Sequence, residues 1–348
     1  MKFKTLNKLA TGLSVLFAVT FSVVAAEKVV VYNWTEYIPD GVLAEFTKET
    51  GIKVEYNTYE SNEVMYSKLK LQNGKGYDIV IPSTYYISKM AKEGLLAKID
   101  TAQLSNFTHL DPALLNKSYD PNNQHSVPYV WGSTGIGINT NEVDPKSIKS
   151  WKDLWDKKWQ NSLLLTDDVR EVFHMALRVN GHSSNSTSEA EIKQAYELLT
   201  KLMPNVLVFN SDAPREPYLA GDVNLGMIWN GEVIMAQEED SAIEYIYPTE
   251  GAAIWVDSFA IPTGAENKSN AHKFINFMLR PDVAKRTVEY IGYATPNKAG
   301  IALLDQATQN NPTIFPSKRI VEQGEFQTDV GPAIEIYNKY WEMLKTSK

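Results

Sequence analysis

A tryptophan and a carboxylate share one face of the apolar stretch Ile254–Pro262. The stretch alternates, is rich in aromatic and β-branched residues and ends in a proline, which predicts a β-strand. Side chains two apart on a strand point the same way, so Trp255 and Asp257 lie together, opposite Ile254 and Val256. An aromatic ring beside a carboxylate attracts an organic cation. The alternative is a core tryptophan beside a surface aspartate, since most tryptophans are buried.

Other predicted strands also end in aromatic loops. Two such loops follow the predicted strands Lys28–Tyr32 and Tyr77–Ile81. They carry, in chain order, Trp34, Glu36, Tyr37, Ser83, Tyr85 and Tyr86. Trp229 ends the predicted strand Val223–Trp229 in the same way. Loops are normally polar, so these aromatic side chains indicate either small apolar clusters under the loops or contacts with a ligand.

Two acids begin the helix predicted after the strand Leu163–Leu165. Asp168 and Glu171 are three residues apart and lie off the apolar stripe of that helix. They are therefore neighbours on the helix surface and can point at one spot. The alternative is that acids in a first turn only favour the positive end of the helix dipole.

The elements that position these residues alternate between strand and helix at short spacing, which predicts an α/β fold. Ligands of such folds bind in the loops beyond the strand ends. A glycine-interrupted apolar strand, Trp131–Asn139, is predicted to cross between two lobes. A long amphipathic helix is predicted over Thr328–Lys345, with Gln327 just before it. A chain of 348 residues suits two domains, or one domain in two lobes.

Residues 1–26 predict a secretory signal peptide, because a basic start and an apolar run precede the small residues Val24-Ala25-Ala26. Export to the periplasm follows. The chain has no cysteine, so we expect no disulfide, no thiol chemistry and no lipid anchor in the membrane. Removing Lys2, Lys4 and Lys8, and no acids, takes the net charge from −8 to −11. Such a protein suits cations rather than nucleic acid or anionic membranes, unless the excess is only solvated surface.

Familiar catalytic motifs are absent from the sequence. It has no Gly-x-Ser-x-Gly elbow, Walker loop or dinucleotide fingerprint, and its five histidines are not paired at metal-ligand spacing. We therefore expect no catalytic residues, no cofactor and no metal. The pair Tyr85–Tyr86 is the one feature that suits a hard metal.

Six motifs resemble one family. They are Tyr-Asn-Trp-Thr-Glu-Tyr (32–37), Pro-Ser-Thr-Tyr-Tyr (82–86), Leu-Leu-Thr-Asp-Asp-x-Arg-Glu-Val-Phe (164–173), Gly-Met-Ile-Trp-Asn-Gly (226–231), Trp-x-Asp-Ser-x-Ala-Ile-Pro (255–262) and Ile-Gly-Tyr (291–293). From about Val30 onward, the chain resembles the periplasmic spermidine/putrescine-binding proteins of polyamine ABC importers, which are type II periplasmic binding proteins. The resemblance implies two α/β lobes, each a mixed sheet flanked by helices, with the ligand in the cleft between them. We expect one lobe from 27–134 and 258–302, and the other from 135–257 and 303–348.

The resemblance also implies a set of ligand-binding residues. The carboxylates that would hold ammonium groups are Glu36, Asp168, Glu171 and Asp257. The aromatic residues that would enclose methylenes are Trp34, Tyr37, Tyr85, Trp229, Trp255 and Tyr293. The polar contacts would be Thr35, Ser83, Ser211 and Gln327. Arg215 departs from the family pattern, and we expect it outside the cleft because it would repel a polyamine.

The implied function is capture of polyamines, spermidine in preference to putrescine, for the membrane permease of an ABC importer. The protein would act as a monomer. A polyamine alternates charged nitrogens with methylene spacers, which carboxylates and aromatic walls can read. Two rivals remain: a periplasmic glycoside hydrolase, since acids and tryptophans also fit sugars, and a ferric-ion carrier using Tyr85 and Tyr86. A sugar site would usually carry more Asn, Gln, Arg and Lys donors than these loops contain.

Overall fold

The computed structural model describes residues 27–346; the predicted signal peptide lies outside the described residues. The strands are β1 (Lys28–Trp34), β2 (Lys53–Tyr59), β3 (Ile79–Val80), β4 (Val127–Asn139), β5 (Leu163–Leu165), β6 (Val206–Phe209), β7 (Leu225–Trp229), β8 (Ile243–Ile246), β9 (Ala253–Phe259) and β10 (Glu325–Phe326). The α-helices are α1 (Val42–Thr50), α2 (Asn62–Leu71), α3 (Thr84–Lys92), α4 (Val169–Val179), α5 (Glu189–Leu202), α6 (Glu216–Leu219), α7 (Asn230–Glu239), α8 (Lys268–Met278), α9 (Pro281–Ile291), α10 (Lys298–Ile301), α11 (Gln306–Gln309), α12 (Lys318–Gln323) and α13 (Ile334–Thr346).

The strands form two sheets flanked by helices, which confirms the predicted α/β class. The first sheet has the order β2-β1-β3, and both of its ladders are parallel. The second has the order β10-β9-β4-β7-β5-β6, with β8 paired to β4, and mixes parallel and antiparallel ladders. Antiparallel bridges from Val80 to Ala260 and from Ser83 to Asp257 join β9 to the first sheet. The ends of strands from both sheets therefore meet at one place.

The long strand β4 takes part in two hydrophobic cores. Its start packs Val127 and Val130 with residues of β1, α1 and α8, whereas its end packs Ile136 and Ile138 with residues of α4, α5 and α13. The first half of β4 pairs with β9 and the second half with β7 and β8. Gly132 pairs with Trp255 of β9, and a Cβ atom at this position would come within 2.6 Å of the Trp255 ring. A glycine is thus required for Trp255 to pack against β4.

The predicted terminal helix is wrong at its start. The helix α13 begins at Ile334 rather than Thr328. Gly331 has a φ of +57°, and Pro332 opens a short 3-10 helix, so residues 328–330 do not continue the helix. The strand β10, which sequence analysis missed, instead pairs in parallel with β9. Gln327 consequently follows a strand, and it is buried.

Candidate ligand-binding cavity

A cavity forms where β1, β2, β3, β5 and β7 end, beside the middle of β9. Together with the solvent at its mouth, it contains about 670 Å³ of space free of protein atoms. Its walls are Trp34, Thr35, Tyr37, Tyr59, Glu60, Asn62, Ser83, Tyr85, Asp168, Glu171, Ser211, Asp212, Trp229, Glu232, Trp255, Asp257, Tyr293 and Gln327. The structure thus brings together all of the predicted site residues except Glu36. Their contact with a ligand stays a prediction.

Asp257 lies at the centre of a hydrogen-bond network that joins the two sheets. Its carboxylate accepts from the hydroxyls of Ser83, at 2.6 Å, and Tyr37, at 2.7 Å. Asn62 donates to the Ser83 hydroxyl in turn, at 3.0 Å. Ser83 stands at the N-cap of α3 but makes no capping bond with its side chain, because the hydroxyl is bound to Asp257. The carboxylate is only 3% exposed, so the alternative of a surface aspartate is wrong.

Burial raises the pKa of Asp257 to about 6, although the hydrogen bonds from Ser83 and Tyr37 act in the opposite direction. A buried carboxylate loses the hydration of its charged form, and two neutral hydroxyls do not fully replace it. The side chain is therefore ready to gain from a cation that enters the cavity.

Asp168 and Glu171 meet at the start of α4, as their spacing predicted. Asp168 is the N-cap and accepts from the backbone N–H groups of Arg170 and Glu171, at 2.8 and 3.0 Å. Glu171 is buried and accepts from the Thr134 hydroxyl at 2.6 Å. Burial, followed by repulsion from Asp168, raises the pKa of Glu171 to about 8. Burial likewise raises the pKa of Asp168.

These three acids share an electrostatic property. Asp168, Glu171 and Asp257 make no ion pair with a lysine, arginine or histidine in the part of the chain that the structure describes. Their hydrogen bonds come only from neutral donors. The charge of Arg170 offsets the burial of Asp168 only in part, since the pKa of Asp168 is still raised. Acids that are buried without an ion pair are costly, so the cavity favours a ligand with several positive charges.

Aromatic rings line the space between the acids. Trp255 meets Tyr293 edge to face, with 5.0 Å between ring centroids, and Trp34 lies 4.7 Å from Tyr59. Trp34 is held at the end of β1 because its indole N–H donates to the Ile81 carbonyl at 2.9 Å. Rings fixed in this way offer apolar faces of defined position.

Several polar atoms of the cavity wall are buried without a protein partner. They are the Tyr85 hydroxyl, the Trp255 indole nitrogen and the Gln327 amide nitrogen. Buried polar groups are normally hydrogen-bonded, and an exception calls for an explanation. A polar ligand in this cavity would give such atoms a partner.

Glu36 stands outside the cavity wall. It has a φ of +55°, and its carboxylate binds Arg215 at 2.9 Å instead. Arg215 is not among the wall residues, as predicted. It also pairs with Glu232, however, at 3.0 Å, and Glu232 is a wall residue. The expectation that Arg215 stays clear of the cleft is therefore only partly right, because it contacts one of the cavity acids.

Sequence analysis missed five wall residues. Tyr59 ends β2 and Glu60 follows it. Both therefore lie at a strand end with an aromatic residue, the same signal that identified Trp34 and Trp229. Glu232 lies in the first turn of α7, directly after Trp229. Asn62 and Asp212 follow strand ends at longer spacing and gave no signal of their own.

The tyrosine pair does not converge on one site, because Tyr85 lines the cavity whereas Tyr86 is not among its walls. Burial raises the pKa of both Tyr85 and Tyr86 in the ligand-free chain. Tyr86 donates to Glu63 instead, at 3.2 Å. Within residues 27–346, no cluster of His, Asp and Glu is placed to hold a metal ion. None of the helices in that range has the length and apolar character needed to cross a membrane.

Comparisons with known proteins agree along nearly the whole chain. A family model of bacterial extracellular solute-binding proteins matches residues 41–316. The spermidine/putrescine-binding periplasmic protein of Salmonella typhimurium is 56% identical over 317 residues, covering 91% of each chain. The spermidine/putrescine-binding periplasmic protein 1 of Haemophilus influenzae is 46% identical over 325 residues, covering 93% of this chain and 90% of the other. The spermidine/putrescine ABC transporter substrate-binding protein of Streptococcus pneumoniae has a similar structure, with a TM-score of 0.79 at 35% identity, covering 92% of this chain and 99% of that one.

Proposed function

The chain belongs to the family of bacterial extracellular solute-binding proteins, and on that premise we propose that its solute is a polyamine, with spermidine preferred to putrescine. The protein is periplasmic, and its family is a non-enzymatic component of transport. This excludes the glycoside hydrolase. The polyamine would be delivered to the permease of an ABC importer, as the names of the relatives suggest.

The observation that carries the proposal is the set of acids without ion-pair partners. Asp168, Glu171 and Asp257 come from two elements, α4 and β9, and surround one cavity. A polyamine supplies ammonium groups at fixed separations, and each would replace the lost hydration of one carboxylate. The methylenes between the nitrogens would lie against the rings of Trp255 and Tyr293.

Two lobes would carry the cavity between them. We assign 27–134 and 258–302 to one lobe and 135–257 and 303–348 to the other. Support comes from the two hydrophobic cores, one built around β1 and α8 and the other around α4 and α13. The strands β4 and β9 link them. Cations drawn into the gap would favour closure, because the acids of α4 and β9 would then share one ligand.

Thermal denaturation with a panel of ligands tests the proposal. Spermidine and putrescine should raise the melting temperature, since they bind the folded chain alone. A matched control is spermidine acetylated on both terminal nitrogens, which keeps the methylene spacers but loses the terminal charges and should give a much smaller rise.

Analysis of the bound ligand completes this test. Spermidine released by acid from the saturated protein should be chemically unchanged by mass spectrometry. A cleaved or oxidised amine, or equal stabilisation by the acetylated control, would contradict the proposal. A coloured ferric complex would favour the metal carrier.

A further inference from the structure

Arg215 joins two acids, of which Glu232 lines the cavity and Glu36 stands outside its wall. Its Nη2 atom lies 2.9 Å from Glu36 and its Nη1 atom 3.0 Å from Glu232. Its Nε atom is 3.7 Å from Glu216, which is largely exposed. The Arg215 side chain is only 15% exposed, so the guanidinium is held between its partners rather than in solvent.

The two principal partners come from different parts of the fold. Glu36 follows β1 of the first sheet, whereas Arg215 precedes α6 and Glu232 lies in α7, beside the second sheet. The left-handed φ of +55° at Glu36 is unfavourable for a residue with a Cβ atom. A glutamate kept in that conformation, with its carboxylate on Arg215, indicates that the turn after β1 is fixed in part by this contact.

The contact changes the charge of the cavity. Glu232 is a wall residue and is buried, and burial raises its pKa to about 6 even though Arg215 opposes the shift. Arg215 supplies the positive charge that this acid would otherwise take from a ligand. It also holds Glu36, the carboxylate that family resemblance assigns to a ligand ammonium.

We infer that Arg215 is a specificity-determining residue, a resident cation beside the cavity that engages Glu36 and Glu232 and limits the polyamine to three ammonium groups. The inference rests on the proposed function. With Glu36 and Glu232 bound to Arg215, the buried or half-buried wall acids left for a ligand are Asp168, Glu171 and Asp257. They match the three nitrogens of spermidine. A fourth ammonium, as in spermine, would find Glu36 and Glu232 already paired with a guanidinium.

Replacing the guanidinium tests this inference. Arg215→Gln should free both acids and raise the affinity for spermine relative to spermidine by about tenfold, measured by calorimetry at fixed salt. The double variant R215Q/E36Q should retain only part of that gain, because one of the freed acids is removed. Arg319→Gln is the matched control, since Arg319 donates to Gln323 within α12 and is not a wall residue of the cavity, and it should leave the affinity ratio unchanged.

The outcomes separate the inference from the proposed function. A wild-type protein that binds no polyamine would overturn both. If both the wild type and R215Q bind spermidine, and R215Q has the same ratio of spermine to spermidine affinity as the wild type, the role of Arg215 alone would be overturned. If R215Q does not fold, R215M/E232Q removes the buried pair as a unit, a change that is often tolerated. That variant should still raise the relative affinity for spermine through Glu36, and an unchanged ratio would count against the inference.

Discussion

The indole nitrogen of Trp229 donates to both carboxylate oxygens of Glu171, over 3.0 and 2.9 Å. Trp229 ends β7 and Glu171 lies in the first turn of α4, so an aromatic wall and an acid of the cavity fix each other's orientation. The Thr134 hydroxyl of β4 adds a third hydrogen bond. All of these donors are neutral, so Glu171 is oriented without an ion pair. Such preorganisation lowers the cost of ordering the site when a cation binds.

Asp257→Asn should weaken spermidine binding far more than Asp167→Asn. Asp257 is buried in the cavity, and losing a buried charge pair with a ligand costs about 2–5 kcal/mol. Asp167 is exposed and pairs with Lys345 at 3.1 Å, and a surface change of this kind costs at most about 0.5 kcal/mol. Calorimetric titration of both variants measures the difference. Equal losses would rule out Asp257 as a ligand contact.

Ligand-free stability should depend on pH through Glu171. Its pKa is raised from 4.5 to about 8, so the folded chain holds this proton more tightly than the unfolded chain does. The resulting stability is complete below pH 4.5 and is lost as the pH rises through about 8. Asp257, with a pKa of about 6, adds a similar loss at lower pH. In melting temperatures measured across this pH range, Glu171→Gln should lose the decrease in stability near pH 8. A variant whose stability falls with pH as the wild type's does would contradict the raised pKa of Glu171.

Polyamine binding should release protons near pH 7. Glu171 is then mostly protonated in the free protein but must be ionised to hold an ammonium, whereas the amines stay charged, with pKa values near 10 by analogy with lysine. Spermidine affinity should therefore rise with pH between 6 and about 8. Calorimetry in two buffers of different ionisation enthalpy counts the protons. A heat of binding that is the same in both buffers would exclude the release of protons on polyamine binding.

Ligand should also draw the lobes together about strands β4 and β9, near Gly135 and Ser258. A Cβ atom at Gly135 would lie 2.5 Å from the Tyr245 hydroxyl, so this part of β4 packs too closely for a larger residue. X-ray scattering should show a smaller radius of gyration with saturating spermidine. Asp257→Asn at the same ligand concentration is the control. Identical scattering curves for the wild type with and without spermidine would argue against a hinged cleft.

Local sequence patterns predicted the parts of the site that lie on regular elements. Alternation along β9 placed Trp255 and Asp257 on one face, and both now line the cavity. Three-residue spacing brought Asp168 and Glu171 together because α4 forms as its apolar stripe predicts. These relationships depend on the period of a strand or a helix, which is a property of neighbouring residues.

Contacts between residues far apart in the sequence could not be predicted from local patterns. Glu36 and Arg215 are 179 residues apart, and only the fold brings them within 2.9 Å. The two-residue strand β10 is too short to show alternation, and its pairing with β9 depends on tertiary contacts. Family resemblance supplied the role of Glu36 but not its partner, because Arg215 departs from the family pattern.

Competition calorimetry between spermidine and putrescine at fixed salt is the most direct test of the central claim, that Asp168, Glu171 and Asp257 bind three ammonium groups. A diamine would leave one of these acids without a partner, a penalty of roughly 1–3 kcal/mol. Spermidine should therefore bind more tightly by about one to two powers of ten. Putrescine binding as tightly as spermidine, or more tightly, would show that the cavity is built for a diamine.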